Sequence, residues 1–178
     1  MTRYRYPTIL IRGGTPWQKK LAQEVIEYCA RVLIETKHPG MMGELVIDLR
    51  LIKDLSKKDN TKADVITDDD EDPPREFLMR LDSSMNEMGL IRAICHEMVH
   101  VEQFASGDLT EGGHRKAKWR GRFFEENSKT YWTLPWEVIA YGRENGLLWN
   151  FIDAKKYSGK KWCVDYDYDR PKPLPRGL

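Results

Sequence analysis

The chain has 178 residues, enough for one domain with a substantial core and short for two. Its 29 Lys and Arg face 28 Asp and Glu for a net charge of +1, so bulk electrostatics point neither to nucleic acid nor to an anionic membrane. A hydrophobic content of 40% with 32% charged residues fits a globular protein, and no apolar run is long enough to span a bilayer. The first residues, Met1-Thr2-Arg3-Tyr4-Arg5-Tyr6-Pro7, lack the apolar core of a signal peptide. Cys29, Cys95 and Cys163 are odd in number without C-x-x-C spacing and read as free thiols, so a cytoplasmic setting is expected.

In chain order, residues 4–11 read as an extended stretch. Thr15-Pro16-Trp17-Gln18 supplies an N-cap threonine, a proline at the first helical position and a glutamine at the third. Trp17, Leu21, Val25, Cys29 and Val32 then recur at helical spacing until His38-Pro39-Gly40 stops the helix. Residues 44–52 read as a strand, and residues 75–81 as a second one with Phe77, Met79 and Leu81 on one side. The polar region between them, residues 53–74, holds Asp68-Asp69-Asp70-Glu71-Asp72 without the spacing of an EF-hand, and reads as a solvated, mobile loop.

Ser84-Met85-Asn86-Glu87 has the form of a capping box and predicts the start of a helix. On that helix Ile91, Ile94, Met98, Val101 and Ala105 fall on one arc, with His96, His100 and Gln103 nearly opposite. Ser106-Gly107-Asp108 supplies its end. Arg115, Lys116, Lys118, Arg120 and Arg122, with Trp119 and Phe123 among them, read as a solvated helix face, phosphate contact being the alternative. Pro135 opens a further helix to about residue 145, with Gly146 near its end. The segment from 155 onward, with Tyr166-Asp167-Tyr168-Asp169 and Pro171, Pro173 and Pro175, reads as an extension on the surface. The expected organisation is one domain over residues 1–154 and a C-terminal extension over 155–178.

His96-Glu97-Met98-Val99-His100 spells H-E-x-x-H. Two imidazoles one helical turn apart project from the same side and can share a metal ion. A glutamate directly after the first histidine can reach a water held on that ion. Cys95 points about 100° away from His96, toward the core. Zinc hydrolases use three protein ligands and leave a position for water. Two residues downstream are candidates for the third: Glu137, at the start of the second helix among Trp, Leu, Val and Ile neighbours, and His114, between glycines and basic residues.

The pattern H-E-x-x-H followed on a second helix by E-x-x-A (Glu137 to Ala140) resembles the gluzincin branch of zinc metallopeptidases. His96 through Gln103, Trp119-Arg120-Gly121, Tyr131-Trp132 and Pro135-Trp136-Glu137 further resemble small zincin-like, SprT-like metallopeptidases often carried by bacteriophages, over roughly residues 75–145. The resemblance implies a single α+β zincin-like domain with a small sheet, a backing helix, the H-E-x-x-H helix and a second ligand-bearing helix. It implies Zn2+ on His96, His100 and Glu137, with His114 as the alternative third ligand. Glu97 would be the general base in hydrolysis of a peptide bond in a protein or peptide substrate, and Tyr131, Tyr141 or His114 the oxyanion donor. For a phage-encoded chain the setting would be the host cytosol. Two departures stand out. Tyr141 occupies the place, four residues after the third ligand, where many gluzincins carry an aspartate that orients a metal histidine. SprT-type proteases use a third histidine, for which His114 is the counterpart. The competing readings are a zinc-stabilised binding or scaffold module without activity and a DNA-associated protease of SprT type.

Overall fold

The computed structural model describes residues 6–113, 115–127 and 129–164. The chain begins with β1 (Thr8–Gly13) and turns at once into α1 (Pro16–Ala30). The capping box forms: Gln18 N–H donates to Thr15 Oγ1 (3.2 Å) and Thr15 N–H donates to Gln18 Oε1 (2.9 Å). Leu21, Val25, Ile26 and Cys29 bury one side of α1, which passes into a π-helical turn at Arg31–Glu35. After a 3-10 turn at Met41–Glu44 the chain enters β2 (Val46–Ile52), then the short α2 (Leu55–Asp59), β3 (Ala63–Thr67) and β4 (Glu76–Asp82).

These strands form a four-stranded sheet in the order β1-β2-β4-β3, with β1, β2 and β4 parallel and β3 antiparallel at the edge. The parallel β1–β2 pair requires a crossover, which α1 supplies. Alternation then sets the buried face: Ile47, Leu49 and Leu51 of β2 and Phe77, Met79 and Leu81 of β4 are all nearly inaccessible. Against them packs α3 (Glu87–Ala105), followed by a small antiparallel sheet of β5 (Leu109–Glu111), β6 (Lys116–Trp119) and β7 (Arg122–Glu125). A 3-10 turn at Tyr131–Thr133 leads into α4 (Pro135–Ala154), which packs on α3, and α5 (Lys161–Val164) ends the described chain. The architecture is α+β. No helix among the described residues is long and apolar enough to cross a membrane.

Several elements differ from the expectations. Residues 53–74 are not one loop, because α2 and β3 lie within them. Pairing with β4 satisfies the β3 backbone, and Arg80 of β4 clamps Asp64 of β3 (2.6 Å) and Asp59 of α2 (2.8 Å). The acidic run is anchored too, since Asp69 Oδ2 accepts the backbone N–H groups of Arg75 and Glu76. Asn86, not Ser84, caps α3: its Oδ1 accepts from Gly89 N–H at 2.8 Å. Ser84 is held in the preceding turn, where its N–H donates to Asp82 and its Oγ accepts from Asp54 N–H.

The basic segment is a hairpin rather than a helix face. Arg120 and Gly121 both take positive φ between β6 and β7, as a tight primed turn demands. Ala117 and Trp119 point inward, and Arg120 is paired with Asp108 at 2.9 Å. The helix opened by Pro135 does not end near Gly146. Leu147, Leu148, Trp149, Phe151 and Ile152 are buried beyond it, and their packing outweighs the low helix propensity of one glycine. Tyr157, Trp162 and Cys163 also pack on the core, beyond residue 154. Tyr166 to Asp169 and the three prolines lie outside the described residues.

Candidate metal centre

The middle of α3 is inside the molecule on every side: all residues from Ile94 to Gln103 are buried. Its apolar arc, Ile91, Ile94, Met98, Val101 and Ala105, meets the core, and Cys95 also faces inward, 3.8 Å from Cys29 sulfur to sulfur. The polar members of the helix therefore need partners within the protein. Glu102 finds them in Lys37 (2.7 Å) and Arg143 (3.5 Å), a structural role.

His96 and His100 bring their Nε2 atoms to 3.1 Å from each other. Packing of α4 on α3 delivers Glu137, in the first turn of α4, to the same point. Its Oε2 lies 3.4 Å from His96 Nε2 and its Oε1 3.5 Å from His100 Nε2. All three side chains are buried, and among the described residues they form the one group of this kind able to hold a metal ion. His114 lies outside the described residues.

Hydrogen bonds on the far side of each ring fix what faces the centre. Gln103 Nε2 donates to the Trp136 carbonyl (3.1 Å), so its Oε1 is left to accept from His100 Nδ1 at 2.8 Å. Glu144 Oε2, acceptor-only as a carboxylate, takes the Nδ1 proton of His96 at 3.0 Å. With both Nδ1 protons held outward, both Nε2 atoms face Glu137, where each would offer a lone pair to a bound metal ion. Glu137 Oε2 is itself buried without a hydrogen-bond partner. Donors held about 2.0–2.1 Å from one tetrahedral ion lie about 3.3 Å apart, close to the observed separations. The residues present fit a metal ion.

Charge balance leads to the same place. Burial lowers the pKa of His96, but Glu137, Glu144 and Glu97 outweigh it and raise the ring to about 9. Burial raises the pKa of Glu137, but the close approach of the His100 and His96 rings outweighs it and brings the carboxyl to about 2. The cluster holds positive charge tightly, whether a proton or a cation. Glu97, immediately beside it, is pushed up to about 7, chiefly by burial.

Tyr131 and Tyr141 complete the surroundings. The Tyr141 ring packs against His96, with centroids 4.5 Å apart, and Trp132 covers Tyr141 at 5.1 Å. Burial raises the pKa of both tyrosines, and the Glu137 charge raises both further. The two phenols therefore stay protonated and remain donors at neutral pH. The Nδ1 of His96 is met not by Tyr141 but by Glu144, three residues further along α4. Glu144 belongs to no motif in the sequence; its one signal is that a carboxylate seven residues after Glu137 shares its helix face. Gln103 lies on the polar arc with the histidines, and its contact with His100 Nδ1 gives it a role there.

The centre sits at a branch point of an open cleft. One arm, of about 440 Å³, runs between β3 and the small sheet past Phe104, Leu109 and Trp136. The other, of about 840 Å³, runs past the first turns of α3 toward Trp132. Both are lined by His96, Glu97 and Tyr131.

Fold and site together define an α+β protein with a buried group of two histidines and one glutamate suited to a metal ion. Comparison of the chain with protein-family models, with curated proteins and with solved structures finds no match. The resemblance to zincins is carried by the motif residues alone.

Proposed function

We propose that this protein is a zinc-dependent peptidase of gluzincin type, with His96, His100 and Glu137 as zinc ligands and Glu97 as the general base. The observation that carries this reading is the state of Glu97. It is 6% exposed, lines the cleft beside the ligand set, and makes no hydrogen bond or ion pair among the described residues. A buried carboxyl without partners costs stability and returns none to the fold, whereas a general base needs a raised pKa and an open path to substrate. A purely structural metal has no use for it, which weighs against the inactive scaffold. The two-histidine, one-glutamate set also favours the gluzincin pattern over the three-histidine one.

Bound zinc would supply a Lewis acid that polarises a carbonyl and acidifies water. Glu97 takes a proton from the attacking water and passes it to the leaving amine. The protonated Tyr131 and Tyr141 hydroxyls stand ready to donate to the oxyanion that develops on the carbonyl. His96 and His100 are held in their lone-pair-forward tautomers by Glu144 and Gln103. The unpaired edge of β3 runs along the cleft, which suits an extended peptide adding its backbone as a further strand.

The test is cleavage of an internally quenched peptide library by zinc-loaded protein, with Glu97→Gln as the blank and a chelator as the reversible inhibitor. Chelator-sensitive cleavage absent from Glu97→Gln is expected. Stoichiometric zinc without cleavage of any peptide would overturn the peptidase reading.

A further inference from the structure

The larger arm of the cleft contains a guanidinium, that of Arg92, with no hydrogen-bond partner or counter-ion among the described residues. Arg92 lies on α3 four residues before His96, one turn along the same side of the helix, and lines this arm with Trp132, Tyr141 and Glu144. Its Nε is buried without a hydrogen-bond partner, and Arg92 makes no ion pair among the described residues. The arginines that serve the fold behave otherwise: Arg75, Arg80 and Arg143 are all bound to carboxylates. The nearby carboxylates are not spent on Arg92 either, since Glu144 is committed to His96 and Glu97 stays unpaired. A guanidinium does not shed its proton, so its desolvated N–H remains a demand for an acceptor that no described residue supplies. The opposite arm holds no arginine: Asp64, Glu111, Glu126 and Lys116 are the charged groups on its walls away from the centre.

We propose that Arg92 binds a carboxylate of the substrate, making the protein selective for peptides that seat an acidic side chain or a free C-terminal carboxylate in the Trp132 arm. The proposal rests on the peptidase reading and names its substrate class. One helical turn from His96 is a rise of about 5.4 Å, and an extended peptide advances about 3.3 Å per residue, so the carboxylate belongs to one of the two residues nearest the scissile bond. The planar fork of arginine matches a carboxylate with two parallel hydrogen bonds. Trp132 and Tyr141 offer an aromatic wall to the aliphatic part of the same residue.

The test measures binding, so it does not depend on turnover. The full chain carrying Glu97→Gln is loaded with zinc and titrated with N-acetylated alanine hexapeptides in which a single Glu is moved through the sequence. Each is compared with its Gln counterpart, with the C-terminus free or amidated, and affinity is read by calorimetry. At one Glu position, or for the free C-terminus, binding is expected to be at least about tenfold tighter than for the neutral counterpart. The free and amidated arms tell which carboxylate is recognised. Adding Arg92→Gln should bring that ratio to near one, and adding Arg92→Glu should invert it in favour of Lys at the same position, which a merely damaged fold would not do. Equal affinities for acidic and neutral peptides, a preference that survives Arg92→Gln, or no binding of any peptide would overturn the proposal. Failure of the peptidase reading shows separately, as absence of cleavage of these peptides by the zinc-loaded wild-type chain.

Discussion

At the scale of single residues the candidate centre depends on the nitrogens that do not face it. His96 and His100 can turn lone pairs toward Glu137 only while Glu144 and Gln103 hold their Nδ1 protons. Glu144→Ala should therefore weaken zinc binding by about 10–100-fold, as outer-shell partners of metal histidines do, and Glu137→Ala by more. Competition with a chromogenic chelator measures both. Glu97 touches neither ligand ring through a hydrogen bond, so Glu97→Gln should keep its zinc while peptidase activity falls about 10²–10⁴-fold, read on a quenched peptide. Equal loss of zinc and activity in that variant would assign Glu97 to metal binding instead. The convergence of His96 and His100 beside Glu97 was legible from H-E-x-x-H because their spacing is local to one helix. Glu144 was not, because its partner ring lies on another helix, 48 residues away in sequence.

At the scale of elements, α3 is a helix whose ends are set locally and whose middle is set by its neighbours. Asn86 fixes its start, and Asn86→Ala should cost about 1 kcal/mol in urea unfolding, whereas Ser84 does not occupy the cap. The turn from β1 into α1 is a second local constraint. Gly13 has φ +75°, and a Cβ there would lie 2.1 Å from the Leu51 carbonyl oxygen of the neighbouring strand. Both features exclude a side chain, so Gly13→Ala should lower stability by more than about 2 kcal/mol by the same measurement. The β3 strand and the second half of α4 escaped the reading of the sequence for a shared reason. Ala63–Thr67 is too short to display a periodicity of its own, and Gly146 marks an end only where no buried residues follow. In both cases contacts distant in sequence made the decision.

At the scale of the whole molecule, the proposed ligands lie on two helices that the sequence separates, so metal binding would be linked to folding. A ligand held a thousandfold above its Kd stabilises the native state by about 4 kcal/mol, and chelation should lower the melting temperature of wild type but not of Glu137→Ala. A further joint lies at Asp82, buried at the end of β4. Its carboxylate accepts from the Ser56 hydroxyl and N–H and from Ser84 N–H, tying β4 to α2 and to the approach to α3. The Ser56 hydrogen bond, foremost, holds the Asp82 carboxyl well below the usual carboxylate range. A depressed folded-state pKa contributes stability that is complete above the unfolded value of about 4 and is lost as pH falls through the folded one. Asp82→Asn should thus cost about 2 kcal/mol at pH 7, with the gap to wild type narrowing at pH 3, as followed by urea midpoints.

Sequence by itself determined what is settled within a few residues. The Thr15 capping box, the inward face of β4, the apolar arc of α3 and the facing of His96 and His100 all follow from helix and strand periods that need no distant partner. Tertiary structure alone decided which carboxylates converge on those histidines, which polar segment became the edge strand beside them, and that Arg92 has no counter-ion among the described residues. These depend on how α4 and β3 dock against α3, and docking is governed by burial summed over many residues far apart in the chain, a quantity no local pattern contains.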